Sequence, residues 1–231
     1  MKSSLSRRDM LALLGAGVAG AASGRPAATA GEAPACVVRP EQTEGPFFVE
    51  ERLNRSDIRL DPVSGAAVAG APLALTFRTS RARGGRCTPL AGAIVDVWHC
   101  DAAGVYSDVR DPRGRTVGQK FLRGYQMTDA SGVARFVTIY PGWYEGRAVH
   151  IHFKVRTQVD GRGREFTSQL YFDDALTDAV HRQAPYAARR ERRTRNDGDG
   201  LFRHGGRALL LNVAEDGRGY AGTFDLGLEL A

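Results

Sequence analysis

The chain has 231 residues, of which 42% are hydrophobic, 25% are charged and 8% are aromatic. This composition is typical of an ordinary globular protein and excludes collagen-like, coiled-coil and wholly disordered chains. No stretch reaches the roughly 20 apolar residues that a membrane-spanning helix needs, so we expect a chain that does not span a membrane.

The net charge of +6 is concentrated in two short segments. Residues 1–30 carry a net charge of +3, and the arginine-rich run at residues 189–195 carries a net charge of +4. The rest of the chain is close to neutral, whereas a nucleic-acid-binding domain spreads its positive charge over a whole surface. The run also lacks interleaved aromatic residues, so we expect a solvated loop and no nucleic-acid partner.

The N-terminus has the features of an export signal. Arg7 and Arg8 precede a glycine- and alanine-rich apolar run of about 12 residues, which is too short to span a bilayer. The paired arginines resemble a twin-arginine signal. We expect residues 1–30 to be a signal peptide for the twin-arginine export machinery and residues 31–35 to be a loose tail. Residues 36–231 then form a single periplasmic or secreted domain.

Three cysteines are present: Cys36, Cys87 and Cys100. An exported protein can keep a disulfide. Residues 87–100 look like one long strand, whose ends lie tens of ångströms apart at about 3.3 Å per residue, whereas a disulfide needs Cα atoms within about 7 Å. A Cys87–Cys100 bond is therefore not expected. A bond from Cys36 to either of the others, or three free thiols, stays open.

Short apolar runs alternate with turn residues along the rest of the chain. Six runs have the character of strands, namely residues 72–80, 92–100, 133–140, 149–157, 165–172 and 207–215. Turn residues cluster at 129–132, 160–163 and 215–218. The best helical candidate, residues 174–183, is short. This pattern predicts an all-β fold, a Greek-key-type β-sandwich with few short helices.

The motif His150-Ile151-His152 is the strongest candidate for chemistry. On a strand, residues i and i+2 point to the same face, so both imidazoles can reach one metal ion. The motif alone is equally compatible with a structural pair of histidines. Two aromatic-rich segments, residues 96–107 and 141–147, contain further candidates, although each aromatic residue taken singly is well explained as core or corner.

Together these segments resemble the intradiol ring-cleavage dioxygenases of the protocatechuate 3,4-dioxygenase-like kind. The resemblance rests on four segments in order, EQTEGPFF (41–48), AIVDVWHCDAAGVYS (93–107), PGWYEGRAVHIHFKV (141–155) and TSQLYFDD (167–174). It implies the β-sandwich of that family, an Fe(III) cofactor, a catechol-type aromatic substrate and O2. The implied reaction inserts both oxygen atoms between the two hydroxyl-bearing carbons and gives a muconate-type diacid.

The resemblance also implies the roles of individual residues. It assigns four iron ligands: Tyr106, Tyr144, His150 and His152. Arg147 and Gln169 match active-site residues beside the substrate, and Tyr144 doubles as the phenolate that is displaced and helps to accept a catechol proton. Phenolates are hard anionic donors, which favour Fe(III) over Fe(II) or zinc. His99 is expected to point away from Trp98 and not to be a ligand, because neighbours on a strand alternate. No role is assigned to Tyr125, Tyr140, Tyr171, His181 and His204.

Two other functions are compatible with parts of the pattern. A non-catalytic, transthyretin-like binding module shares the sandwich architecture, but it gives no reason for two tyrosines, two histidines and Arg147 to occur together. A zinc or copper enzyme built on the two histidines would not need the tyrosines. We therefore favour the dioxygenase, and the sequence leaves the ring substituents of the substrate and the oligomeric state open.

Overall fold

The computed structural model describes residues 36–111, 114–189, 192, 194–217 and 219–230. The expected signal peptide and tail, residues 1–35, lie outside these ranges. The strands in the described ranges are β1 (Pro72–Arg83), β2 (Arg86–Pro89), β3 (Ile94–Trp98), β4 (Arg110–Asp111), β5 (Gly114–Arg115), β6 (Arg123–Met127), β7 (Val133–Ile139), β8 (His150–Val159), β9 (Arg162–Tyr171), β10 (Asn212–Asp216) and β11 (Gly219–Glu229). The helices there are α1 (Asp174–His181), α2 (Gly200–Arg203) and the 3-10 turns Tyr186–Ala188, Asn196–Gly198 and Gly206–Leu209.

The long strands form two sheets. In the first sheet, β11 lies between β10 and β1, and both β2 and β7 pair with the other edge of β1. Strands β1 and β11 run parallel, and their register extends from the pair Leu73–Tyr220 to the pair Ala82–Glu229. The second sheet has the antiparallel order β6-β3-β8-β9. Strands β4 and β5 form a separate ribbon.

The hydrophobic core contains side chains from both sheets. The buried ring of Phe153 on β8 lies 5.2 Å from Phe77 on β1 and 5.6 Å from Phe224 on β11, measured between ring centroids. Leu73 and Leu75 alternate with less buried neighbours along β1, as expected for a strand with one face inward. Two sheets that share one core confirm the predicted β-sandwich.

Most of the predicted elements are present. The runs at 72–80, 133–140, 149–157 and 165–172 correspond to β1, β7, β8 and β9. The short helical candidate corresponds to α1, which begins after Asp173, whose carboxylate accepts a hydrogen bond from the Leu176 amide at 2.9 Å. Asp160 and Gly161, with φ of 49° and 74°, form the two-residue turn of the β8–β9 hairpin.

The C-terminal part of the chain differs from the prediction. The strand expected at 207–215 starts only at Asn212, because residues 206–209 form a 3-10 turn. Gly206 allows that turn, since a Cβ there would collide with the Phe202 ring. Strand β11 was not predicted, because its glycines and acidic residues weaken the strand pattern. In the structure its Gly222 packs directly under Leu211, where a Cβ would lie 2.8 Å from the leucine side chain.

The disulfide joins Cys36 to Cys87, which is one of the pairings that the sequence left open, and Cys100 is buried and takes no part in a disulfide. The expectation of one long strand from Cys87 to Cys100 is wrong. Strand β2 ends at Pro89, the chain turns at Gly92, which has a φ of +74°, and β3 begins at Ile94. The bond fastens the N-terminal end of the described chain to the first sheet.

The arginines of the run 189–195 that the structure describes form ion pairs or stacking contacts with other side chains of the protein. The side chain of Arg192 is 4% exposed and lies 2.7 Å from Asp174 and 3.0 Å from Asp178. The Arg189 guanidinium stacks 4.1 Å from the centroid of the Trp143 ring. The expectation of a solvated loop is therefore wrong for Arg192, whose ion pairs hold it against α1.

None of the helices in the described part of the chain combines the length and the apolar character that are needed to cross a membrane.

Candidate active site

Both faces of strand β8 are buried, so the two histidines of the His-x-His motif lie in the protein interior. Ile151 and Phe153 point into the core and are fully buried. His150 and His152 alternate with them on the opposite face and are 2% and 1% exposed, respectively. The predicted arrangement of two imidazoles side by side on one strand face is therefore present.

Two loops bring the tyrosines to this face. Tyr106 follows β3, and Tyr144 lies in the loop between β7 and β8. The Gly142 amide donates a hydrogen bond to the Asp101 carbonyl oxygen at 3.1 Å, so the two loops touch through their backbones. A Cβ at Gly142 would lie 2.5 Å from the Ala102 carbonyl oxygen, so only glycine permits this approach.

The four predicted donor atoms converge on one point. His150 Nε2 lies 3.1 Å from His152 Nε2, 3.1 Å from Tyr144 Oη and 3.4 Å from Tyr106 Oη. We refer to these four atoms as the donor cluster. It joins residues that lie up to 46 positions apart in the sequence.

The imidazole of His150 is held with its Nε2 lone pair toward the cluster. Its Nδ1 lies 2.7 Å from the Ala148 carbonyl oxygen, which can only accept, so Nδ1 carries the proton and donates it. Burial and the nearby Arg147 charge lower the pKa of His150 to about 3. The ring is therefore neutral at physiological pH and offers a metal-binding nitrogen.

The imidazole of His152 is positioned by packing. The Trp98 indole stacks on it with ring centroids 5.1 Å apart and an interplanar angle of 5°. Gly45 packs against the same ring, since a Cβ there would lie 3.2 Å from its Cε1. Its Nδ1 is buried and has no hydrogen-bond partner among the described residues. Burial lowers the pKa of His152 well below its ordinary value, and electrostatic interactions with His150 and Arg147 lower it further.

The two phenols are protonated in the metal-free protein. Burial raises the pKa of Tyr106 well above its ordinary value and raises the pKa of Tyr144 to about 12, although the positive charge of Arg147 opposes the latter shift. Phe47 stacks on the Tyr106 ring at a centroid distance of 4.5 Å and meets the Tyr144 ring edge-on at 6.0 Å. Aromatic packing therefore sets the direction of both hydroxyl groups.

Arg147 borders the donor cluster, and two of its three guanidinium nitrogens are anchored by other side chains. Its Nε donates to Asp199 Oδ2 at 2.9 Å, and its Nη2 donates to Gln169 Oε1 at 2.5 Å. The remaining nitrogen, Nη1, lies 3.4 Å from both Tyr144 Oη and His150 Nε2. The structure thus brings together all six residues that the sequence singled out.

Two members of this network were missed at the level of sequence. Tyr171, to which no role was assigned, places its hydroxyl 3.3 Å from Arg147 Nη2 and donates to Gln42 Oε1 at 2.8 Å. Asp199 is buried, and the Arg147 charge and hydrogen bonds outweigh burial to hold the pKa of its carboxyl below the ordinary value. Its position before α2 predicts only a helix cap. Nothing in the sequence indicates its contact with Arg147.

The remaining histidines and tyrosines without assigned roles do not join the cluster. His99 is buried with Nδ1 2.8 Å from the Cys100 carbonyl oxygen and Nε2 2.6 Å from Thr138 Oγ1, so both ring nitrogens have partners outside the donor cluster. Tyr140 binds Thr177 through its hydroxyl at 2.8 Å. These contacts are structural.

The chemistry of the donor cluster fits a metal ion. His150 Nε2 lies 3.1–3.4 Å from the other imidazole nitrogen and the two phenol oxygens, and these separations match neighbouring ligands around one ion with bonds of about 2.0–2.1 Å. Within the described ranges, no group of three or more histidine, cysteine or acidic side chains is placed to hold a metal ion.

Comparison with known proteins agrees with this geometry. A protein-family model described as a dioxygenase (Dioxygenase_C) matches residues 43–198. The beta chain of protocatechuate 3,4-dioxygenase from Burkholderia cepacia is 37% identical over 112 residues, which is 44% of this chain and 47% of that protein. A chlorocatechol 1,2-dioxygenase from Pseudomonas putida is 33% identical over 102 residues, 36% of each protein. The chain therefore matches less than half the length of these curated relatives.

Solved structures cover more of the chain. An intradiol ring-cleavage dioxygenase from Tetranychus urticae superposes with a TM-score of 0.69 at 30% identity and covers 84% of this chain and 94% of that chain. The dioxygenase domain of a carbohydrate-binding fusion protein from Streptomyces sp. SirexAA-E gives a TM-score of 0.58 at 31% identity, with 84% and 100% covered. With the family match extending over more than half of its length, the chain belongs to the intradiol ring-cleavage dioxygenase family.

Proposed function

We propose that the protein is a non-haem Fe(III) dioxygenase that opens the ring of a catechol-type aromatic between its two hydroxyl-bearing carbons. Both atoms of O2 enter the product, which is a muconate-type diacid. The observation that carries the proposal is the donor cluster, in which two phenols and two neutral imidazoles meet beside one guanidinium. The four ligands would be Tyr106, Tyr144, His150 and His152.

The donor set favours a ferric ion over zinc or copper. Phenolate oxygens are hard, anionic ligands, and two of them match a trivalent ion better than a softer divalent one. When bound, Fe(III) would supply a Lewis acid that withdraws electron density from a catechol and makes its ring susceptible to O2. A zinc or copper site on His150 and His152 alone would leave the burial of Tyr106 and Tyr144 beside them unexplained.

Arg147 stabilises negative charge in this site. Its Nη1 lies 3.4 Å from Tyr144 Oη and His150 Nε2 of the donor cluster. A fixed cation stabilises a nearby negative charge more strongly in a buried site than in water. Gln169 holds the guanidinium through Nη2. Arg147 therefore faces the charge that builds up on the substrate ring and its oxygens during oxygen attack.

Tyr144 has a second role as a proton acceptor. A catechol brings two hydroxyl protons, which must leave if both oxygens are to bind as anions. If the substrate displaced Tyr144 from the metal, the Tyr144 oxygen would accept one of these protons, because burial raises the pKa of the free phenol to about 12 and favours its protonated form. The other proton would combine with a hydroxide ion to give water. Arg147 Nη1 lies 3.4 Å from Tyr144 Oη in the structure, within reach of a hydrogen bond to this oxygen.

The substrate class follows from chemistry shared among the relatives. Their names give protocatechuate and chlorocatechol as substrates, and both compounds carry two adjacent ring hydroxyls. We therefore propose a catechol-type substrate, with the ring substituents to be found by oxygen-uptake assays across a panel of catechols. A non-catalytic binding module is the alternative, and it is favoured if iron-loaded protein consumes no oxygen with any of them.

Colour tests the iron site directly. Protein loaded with Fe(III) should absorb visible light through phenolate-to-iron charge transfer, and Tyr106→Phe or His152→Ala should lose the metal. Tyr140→Phe is the matched control, because this buried tyrosine lies outside the cluster and binds Thr177. A colourless, iron-replete preparation would falsify tyrosinate ligation, and zinc or copper in the elemental analysis would favour the other metalloenzyme.

Loss of turnover without loss of metal tests Arg147. The Arg147→Ala variant should keep iron, because the guanidinium is not a ligand, and should lose oxygen uptake. Turnover at the wild-type rate would show that its assigned role is wrong.

We also propose that the protein is exported through the twin-arginine route and acts in the periplasm or outside the cell. The Cys36–Cys87 disulfide supports this location, because disulfides persist in oxidising compartments. Replacing Arg7 and Arg8 by lysine should retain the protein in the cytoplasm, as measured by cell fractionation. Unchanged export of that variant would refute the route.

A further inference from the structure

The direction of the Arg147 guanidinium depends on two anchors. This group is a planar fork, so fixing Nε and one Nη determines where the other Nη points. Asp199 fixes Nε and Gln169 fixes Nη2. Loss of either anchor would let the guanidinium turn and carry Nη1 away from Tyr144 Oη and His150 Nε2, its neighbours at 3.4 Å.

Each oxygen of the Asp199 carboxylate has separate partners. Oδ2 accepts hydrogen bonds from Arg147 Nε and from the Ala148 amide, both at 2.9 Å. Oδ1 accepts from the Leu201 amide at 2.7 Å and caps α2. The side chain is 1% exposed. One buried carboxylate therefore ties the start of α2 to the segment that leads into the first histidine of β8.

We propose that Asp199 is a positioning residue of the active site, which aims Arg147 at the donor cluster and balances its charge. This inference rests on the proposed function. A lone buried guanidinium beside the cluster would repel an incoming metal cation, whereas the Arg147–Asp199 pair is neutral as a unit. Asp199 lies just beyond the family match, which ends at residue 198.

The Asp199→Asn variant tests the proposal. The amide keeps the shape of the side chain, and its oxygen can still cap α2, but it has no charge to hold Arg147. We expect weaker Fe(III) binding, because the Arg147 charge is no longer balanced. At matched iron occupancy we also expect kcat to fall by about 10–100-fold, the range typical of losing a group that orients a metal site. The phenolate-to-iron band should shift in the same direction as in Arg147→Ala, because Nη1 lies beside Tyr144 Oη.

A matched control separates positioning from helix capping. Asp173 caps α1 in the same way, with its carboxylate 2.9 Å from the Leu176 amide, and Asp173→Asn should leave both kcat and the absorption band unchanged. If Asp199→Asn fails to fold, Asp199→Ser serves instead, because serine caps a helix but is too short to hold the guanidinium. Its kcat and its band should change as expected for Asp199→Asn.

A double-mutant cycle gives a readout that needs no iron. Arg147→Gln, Asp199→Asn and the double variant are unfolded by denaturant as iron-free proteins. We expect their effects on the unfolding equilibrium constant to depart from additivity by about tenfold or more, because the two side chains are in contact. If wild-type protein shows neither iron colour nor oxygen uptake, the proposed function fails, while this cycle still measures the pair.

Two results would overturn the inference. One is an iron-loaded Asp199→Asn variant with the turnover and band of the wild type. The other is additivity in the cycle, which would mean that Asp199 supports the fold without holding Arg147.

Discussion

The contact between the two tyrosine loops can be tested at Gly142. Its backbone lies outside the left-handed region, so alanine is allowed by φ and the effect of a substitution is purely steric. In Gly142→Ala the new Cβ must move from 2.5 Å to beyond 3.0 Å from the Ala102 carbonyl oxygen. Both partners are backbone, which forces the loop of Tyr106 away from the loop of Tyr144.

The expected loss of stability in Gly142→Ala follows from the overpacking of two backbone segments. Overpacking of this kind costs about 1–3 kcal/mol, and for a protein of this length each kcal/mol lowers the Tm by about 2–4 °C. The hydroxyls of Tyr106 and Tyr144, each within 3.4 Å of His150 Nε2, should separate as the loops part. We therefore expect weaker iron binding and a weaker charge-transfer band, in addition to the loss of stability.

The assay compares two alanine variants. Gly163→Ala is the control, because Gly163 is exposed on β9 and a Cβ there meets nothing closer than 3.9 Å. Denaturant unfolding of the iron-free proteins gives the stability, and titration with Fe(III) followed by absorbance gives the metal site. The reasoning is refuted if Gly142→Ala matches Gly163→Ala in stability and matches the wild type in iron absorbance.

Three further predictions concern the fold. Replacing Cys36 and Cys87 together by serine should lower the free energy of unfolding by up to about 4 kcal/mol, because the disulfide closes a loop of 51 residues; reduced wild-type protein measured by denaturant unfolding should show the same loss. Burial lowers the pKa of His99 from 6.5 to about 4 in the folded protein, so as the pH falls the unfolded chain binds a proton at His99 before the folded protein does. The free energy of unfolding should therefore fall by about 3 kcal/mol from pH 6.5 to pH 4, and His99→Gln, which cannot take up this proton, should lose that part of the pH dependence in parallel titrations. Phe153→Ala should cost about 3–5 kcal/mol in calorimetry or denaturant unfolding, because the ring is fully buried between two other phenylalanines; a loss below 1 kcal/mol would contradict the described core.

Local sequence patterns predicted those features of the fold that depend on one strand alone, such as its position and the direction of its side chains. Alternation along residues 149–157 identified β8 and placed His150 and His152 on one face, because the side-chain period of a strand is two. The same reasoning failed for β11. Its glycines are poor strand formers, but they are needed where Gly222 meets Leu211, and that contact exists only once β10 and β11 are paired.

The sequence supplied the candidate residues of the site but not the contacts that hold their side chains in place. The resemblance to a known family pointed to Arg147 and Gln169. In the structure Arg147 Nη2 lies 2.5 Å from Gln169 Oε1. The stacking of Trp98 on His152 depends on the register of β3 against β8, in which these two residues are partners. No periodicity in either segment encodes that register.

By itself, the sequence determined the strand-rich fold class and the pairing of two imidazoles on one strand face, because these follow from neighbours a few residues apart. The candidate oxygen and nitrogen donors came from motifs that resemble a known family. Only the tertiary structure decided that Cys36 bonds to Cys87 and that Asp199 reaches Arg147 across 52 positions of the chain. Contacts at that separation depend on how whole elements pack, and packing is set by the shape of the entire core.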